Sequence, residues 1–469
     1  MNRLLAVLLV VIAGATVRIV LYRANEDLFA HPQVDELEYL EPLSTPFERP
    51  PGTYFAARLP YARVAVSVIS LLPSLFFLLA LPRTRRNLVL SGLLAVEPTL
   101  ALSGIQLLPE APAAALTALC LVLAHSGRNR MAGFVLGAAA LFRGELLILL
   151  PLLPILGRRG RTMALFALAA VAPVVAVNMA SGGPPSVAST GGMNLWIGSD
   201  WSLLSTPPGV EFEQLMEVRP GHSFTERAVS IIGEDPAGWA LRGMTKSLAF
   251  FTLPGPGRNI DSGEALKPLI VLLGVTALFL AGAAGIRRDL ASLLMLSGVL
   301  SAFLFFPSVR YRVVFLPAFA LTAAALPWRR LLFAVPAVLA LSLFLQYPGH
   351  VRPGLNTLLT AQNALRENDA AGCLALLDEA GQQGFEGADI HNIRASAMAI
   401  EGREFRDVLL EFGLALELAP RSPTVWRNMA AFLWNYGRTQ HAREAAQTAV
   451  RLDPGLEAEL SEILSSPTE

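Results

Sequence analysis

The chain has 469 residues, of which 53% are hydrophobic and only 16% charged, with a mean hydropathy of +0.50. A soluble domain is about a quarter charged, so a chain this poor in charge must present most of its surface to something other than water, and it reads as a polytopic membrane protein. The 37 basic residues balance 37 acidic ones, which excludes nucleic acid as a partner, and two cysteines, Cys120 and Cys373, provide neither a disulfide framework nor a metal cluster.

In chain order, apolar runs long enough to cross a bilayer are separated by short arginine clusters. The first run, 4–21, follows Arg3 and lacks a small-residue cleavage site, so it reads as a retained helix. Arg83/Arg85/Arg86, Arg128/Arg130, Arg158/Arg159/Arg161, Arg287/Arg288 and Arg329/Arg330 mark cytoplasmic loops by the positive-inside rule. The spacing then predicts spans at 4–21, 62–82, 88–107, 112–125, 131–142, 145–156, 163–180, 267–285, 290–306, 313–327 and 331–346. Eleven crossings put the N-terminus in the cytoplasm and the C-terminus outside. The pair at 131–142 and 145–156 has few residues for two independent crossings, so these segments are tilted or one is re-entrant. The non-cytoplasmic segments are 22–61, 181–266 and everything after 346, in a chain placed in the plasma (inner) membrane.

From about residue 355 the chain changes character: 17 acidic residues face 9 basic ones, and no run is long enough to span. Leu418-Ala419-Pro420 recurs as Leu452-Asp453-Pro454, 34 residues on, with Ala415 and Ala449 each five positions before the proline. This resembles tetratricopeptide repeats. Gly437, Ala442, Ala449, Pro454 and Trp426 match the better unit, Val408 and Gly402 mark departures in the unit before it, and a degenerate third covers 355–388 around Asn368-Asp369. The expected architecture is therefore all-α, with a membrane domain over 1–346, a linker over 347–354 and a soluble repeat domain over 355–469 that recruits protein partners.

Chemistry is sought outside the membrane. In 22–61, Asp35-Glu36 with Tyr39 precedes Arg49-Pro50-Pro51-Gly52-Thr53-Tyr54, directly after the first span, where a carboxylate can meet a lipid-borne substrate. That arrangement resembles the GT-C membrane glycosyltransferases, in the branch of protein O-mannosyltransferases and lipid-A aminoarabinose transferases. Later segments are similar to the same family: Leu108-Pro109-Glu110-Ala111-Pro112, Leu141-Phe142-Arg143-Gly144-Glu145, the stretch Gly191 to Gly198 with Asn194 and Trp196, Asp235-Pro236 with Lys246, and Arg310-Tyr311-Arg312 with Pro317. The resemblance covers roughly residues 1–346.

The resemblance implies transfer of a sugar from a polyprenyl phosphate to an envelope glycan, lipid or protein acceptor on the non-cytoplasmic face, usually with inversion. It makes Asp35 the base and Glu36 its orienting neighbour, with no obligatory cofactor, no built metal site and room for a divalent cation. Arg310 and Arg312 suit a phosphate by their bidentate geometry or anchor a helix in headgroups. Arg143 either contacts substrate or pairs with Glu145 or Glu110, and Glu110 either meets substrate or metal or caps the fourth span. Lys246 contacts phosphate or marks an interface, and Asn194 sits on a turn facing the sugar or on a plain surface turn. His31 and His222 lack partners at zinc spacing. Two rivals are an O-antigen ligase or polymerase, whose critical loop falls late in the chain, and a transporter or scaffold. No ionisable group is expected mid-span and no repeated halves are seen, which counts against a transporter.

Overall fold

The computed structural model describes residues 3–26, 47, 49–58, 61–82, 84–200, 223–253, 267–306, 308–344, 355–453 and 456–465. Regular elements among them are all helical, and they fall into two compact units.

In the first unit, α1 (Arg3–Ala24) is a continuous apolar helix, followed by the short α2 (Gly52–Ala57). Helices α3 (Ala62–Ile69) and α4 (Leu72–Ala80) together make a stretch long and apolar enough to cross a membrane, as do α1 and the later α9 (Arg158–Ala180). The expected span at 88–107 is broken: α5 (Arg85–Ala95) and α6 (Pro98–Ile105) meet at a 43° bend. The cause is local. Pro98 cannot donate a helical hydrogen bond, and the Glu97 side chain accepts the Leu100 N–H and so starts a new helix.

Two 3₁₀ segments, Gly144–Leu149 and Leu153–Leu156, occupy the expected span at 145–156. Pro151 and Pro154 remove donors here, and Gly157 takes a positive φ of 69°, so a continuous α-helix does not form. The preceding α8 (Asn129–Ala140), after α7 (Glu110–His125), has 12 residues and rises about 18 Å, well short of a hydrocarbon core of about 30 Å. It packs closely on α9: a Cβ on Gly133 would lie 2.3 Å from the Met163 carbonyl oxygen, and one on Gly137 2.5 Å from that of Ala167. Small residues four apart let two backbones meet this closely.

The unit continues through α10 (Gly191–Ser199), α11 (Phe224–Glu234), α12 (Pro236–Ala249), α13 (Leu273–Leu280), α14 (Leu290–Leu304), the one-turn α15 (Val309–Val313), α16 (Leu316–Ala325) and α17 (Trp328–Phe344). Gly191–Gly198, expected as a turn, is helical. Its apolar core draws on α5 to α9, α13, α14 and α16, with Leu94, Leu100, Phe279, Phe315 and Phe319 fully buried.

Among the described residues, the second unit holds three helical hairpins and a short final helix. The pairs are α18 (Leu355–Arg366) with α19 (Ala370–Gln382), α20 (Ala388–Ile400) with α21 (Phe405–Leu418), and α22 (Pro423–Asn435) with α23 (Thr439–Leu452), before α24 (Ser461–Ser465). Each pair turns through a left-handed residue: Asn368, Gly402 and Gly437, with φ of 64°, 71° and 68°. The following N–H closes the same Schellman bond each time, Asp369 to Ala364, Arg403 to Met398 and Arg438 to Leu433. Val408, Ala415, Ala442 and Ala449 are fully buried between the pairs.

Candidate functional site

Glu110 opens α7, where the helix N-terminus favours negative charge, and its side chain is fully buried. Two arginines from distant parts of the chain converge on it. Arg143 follows α8 in an extended conformation, and its Nη1 donates to Glu110 Oε1 at 3.1 Å while its Nε donates to Glu145 Oε1 at 2.7 Å. Arg310 lies on α15, whose N-terminus is capped by the Ser308 hydroxyl. Its Nε and Nη2 donate to the same Glu110 oxygen at 3.2 and 3.1 Å.

The Tyr311 ring lies 4.0 Å from the Arg143 guanidinium carbon, a cation–π contact that fixes the plane of that cation. Glu110 Oε2 is buried and accepts no hydrogen bond among the described residues. The Arg143 and Arg310 side chains keep 11% and 16% of their surface, while Glu110 keeps none, so the cluster is largely buried. The Arg49 to Tyr54 segment approaches the same place, because the Gly52 N–H donates to the Leu141 carbonyl at 2.7 Å. A Cβ at Gly52 would also stand 2.7 Å from that oxygen, so only glycine lets the loop lie against the end of α8.

Other residues singled out in the sequence go elsewhere. Arg312 is buried, and its Nη1 donates to the carbonyls of Phe250 and Thr252 at 3.1 and 2.6 Å. Lys246, on α12, is also buried and donates through Nζ to Gly198 at 2.6 Å and Phe305 at 2.7 Å, tying the ends of α10 and α14 together. Burial, with the nearby Arg242 charge, pushes its ammonium down to about 7. Asp235 caps α12 from the opposite end, and the Gly238 N–H and Arg242 hold its carboxyl below the usual range.

Asn194 stands in α10, half-buried, beside a fully buried Trp196 that stacks on Phe224 at 5.5 Å and has Arg227 4.3 Å from its ring. Asp35, Glu36, Tyr39, His31 and His222 lie outside the described residues. Among the described residues no three His, Cys, Asp or Glu side chains are grouped to hold a metal ion.

Two buried charges were not expected from sequence. Arg18, inside α1, satisfies all three of its nitrogens: Nε donates to Ser70 Oγ, Nη1 to the Gly14 and Ala95 carbonyls, and Nη2 to the Ser70 carbonyl. Glu97, at the α5–α6 bend, accepts from the Leu100 N–H and the Thr99 and Thr276 hydroxyls. The expectation that no ionisable group stands within a span is thereby corrected. An arginine inside an apolar helix and a Glu-Pro pair inside an apolar run were the available signals.

The chain matches no known protein-family model, and no curated protein is similar to it.

Proposed function

We propose that this chain is an integral-membrane glycosyltransferase that moves a sugar from a polyprenyl-phosphate donor to an envelope acceptor on the non-cytoplasmic face. The observation that carries the reading is the meeting of Glu110, Arg143 and Arg310. They come from three separate segments that resemble the GT-C family, 33 and 200 residues apart for the two contacts, and they share one carboxylate oxygen. Two cations held side by side by a buried acid suit a phosphate, since guanidinium grips its oxygens in a fixed fork.

In this reading, an acceptor hydroxyl attacks the anomeric carbon and passes its proton to Asp35, oriented by Glu36. The bond from that carbon to the phosphate oxygen breaks with inversion, and polyprenyl phosphate leaves with its charge held by Arg143 and Arg310. Lys246 and Arg312, committed to backbone carbonyls, serve the frame around the site rather than the donor. The reading keeps an odd number of membrane crossings with the C-terminal unit outside, the segments at 131–142 and 145–156 entering from the cytoplasmic side and returning to it, and takes that unit as three tetratricopeptide-like repeats that recruit a partner. The three recurring left-handed turns at Asn368, Gly402 and Gly437 support it. Arg18 and Glu97 remove one ground against a transporter, but Arg18 is fully satisfied by fixed groups, as a brace requires and a translocation path does not.

The test is turnover of a polyprenyl-phosphate sugar by the purified chain in lipid nanodiscs with an acceptor extract. Asp35→Asn is expected to slow transfer by about 10²-fold or more with donor affinity little changed. Arg310→Ala removes a charge-assisted grip worth about 1.5 to 3 kcal/mol and should weaken donor binding as well. An Asp35→Asn protein with near wild-type turnover refutes the assignment.

A further inference from the structure

Three loops of the first unit meet at the last turn of α16. That helix begins shortly after Arg310, and its 10 residues rise about 15 Å, so its end is a place distinct from the Glu110 cluster. Arg86, at the start of α5, donates through Nη2 to the Ala323 carbonyl. Arg287, between the 3₁₀ turn Ala281–Gly285 and α14, donates through Nη2 to the Ala325 carbonyl at 3.0 Å. Close packing brings the second loop there: a Cβ on Gly282 would stand 2.6 Å from the Phe319 carbonyl oxygen, so the chain entering that loop lies directly along α16. The third loop supplies Trp328, whose ring lies 5.0 Å from the Arg86 guanidinium carbon.

These loops are strongly basic and lack counter-charges. Arg85, Arg288, Arg329 and Arg330 are exposed, and among the described residues neither they nor Arg86 and Arg287 form an ion pair. The one acid, Asp289, is committed to the start of α14, where it accepts the Ser292 N–H at 2.9 Å. An arginine that only anchors a helix needs no more than exposure at the membrane boundary. Arg86 and Arg287 are held more firmly, each spending one nitrogen on the same helix end, and Arg86 Nε is buried with no partner among the described residues. Guanidiniums fixed in this way and left without a carboxylate suit phosphate oxygens.

The surroundings select a lipid over a free anion. Val89 on α5, Ile286 beside Arg287 and Phe333 on α17 are large apolar side chains left exposed next to these cations, Phe333 at 82%. Acyl chains cover such a surface and a soluble phosphate does not. We infer that the end of α16, with Arg86, Arg287 and Trp328, binds the phosphodiester headgroup of an anionic glycerophospholipid. The site goes beyond the transferase reading and does not depend on what the Glu110 cluster binds.

The experiment mixes the full chain in a neutral detergent with equal amounts of phosphatidylglycerol and phosphatidylcholine of the same acyl chains, and reads the ratio of bound lipids by native mass spectrometry. The wild type should favour phosphatidylglycerol by about tenfold or more, and Arg288→Gln/Arg329→Gln/Arg330→Gln should lose most of that preference. Arg86→Lys keeps every charge but not the fork, so its preference should fall by about threefold, which decides the matter if the triple variant does not insert. Arg158→Gln/Arg159→Gln/Arg161→Gln removes as many exposed arginines from another loop and should leave the ratio unchanged. Inorganic phosphate in large excess should not displace the lipid.

A wild-type ratio near one overturns the inference. So does an Arg86→Lys protein with the wild-type ratio, or a control triple variant that loses as much preference as the first, since either shows a diffuse attraction set by total charge. Displacement by inorganic phosphate would show a free-anion site in place of a lipid site.

Discussion

Replacing Glu110 by glutamine keeps the shape of the side chain and one acceptor oxygen, and removes the charge that balances Arg143 and Arg310. Three N–H groups donate to Glu110 Oε1 at 3.1 to 3.2 Å. Hydrogen bonds to a charged group contribute about 1.5 to 3 kcal/mol each, and these exceed the 2.7 to 2.9 Å of the strongest such bonds, which places each at the low end. The two cations do not lose equally. Arg143 keeps Glu145 at 2.7 Å and the face of Tyr311, so most of the loss falls on Arg310. The net cost should be about 2 to 3 kcal/mol, below the roughly 3 to 5 kcal/mol of a fully orphaned buried ion.

Unfolding of the reconstituted chain, followed by tryptophan fluorescence, measures that cost. Undecaprenyl phosphate supplies an anion that can stand in for the missing carboxylate, so it should stabilise Glu110→Gln more than it stabilises the wild type. A Glu110→Gln protein that unfolds within about 0.5 kcal/mol of wild type would show that this carboxylate is not what holds the two arginines together.

Lys246 gives a pH dependence with a definite sign. Its folded value is pushed down to about 7 from 10.5, so between those values the unfolded chain holds the extra proton and stability should rise with pH, falling away as pH drops through about 7. Lys246→Met should flatten that slope in thermal melts taken from pH 7 to 10, and an unaltered slope would refute the assignment. At the α8–α9 contact, Gly137→Leu places side-chain atoms where a Cβ alone already lies 2.5 Å from the Ala167 carbonyl oxygen. The loss should be at least about 1 to 3 kcal/mol, read as a lower unfolding midpoint, while Gly127→Ala, in open space, tests only the strain of a positive φ of 75°.

Much of the helical framework has local causes, yet not all of them are read from the sequence alone: Glu97-Pro98 and the pair Pro151 and Pro154 break the runs at 88–107 and 145–156 that the spacing predicts as continuous spans, whereas the turns at Asn368, Gly402 and Gly437 fall in the segment that the repeat pattern marks, each acting within a helical turn of its own position. Composition likewise marks the change in character after the last apolar helix, since charge density needs no fold to be read. Glu110, Arg143 and Arg310 stand out as candidates from the segments that carry them, but their meeting does not. A carboxylate and an arginine 200 residues apart share an oxygen only because α15 packs on α6 and α7. The same packing separates Arg312 from Arg310, which the sequence treats as a pair, because two residues along a helix point to opposite sides. Lys246 ties backbone carbonyls for a similar reason: its helix buries that face against the ends of α10 and α14, and a buried ammonium takes the acceptors within reach. Spacing along the chain fixes which residue types are present and where helices stop; which charges share a partner is decided by the faces that the helices turn toward one another.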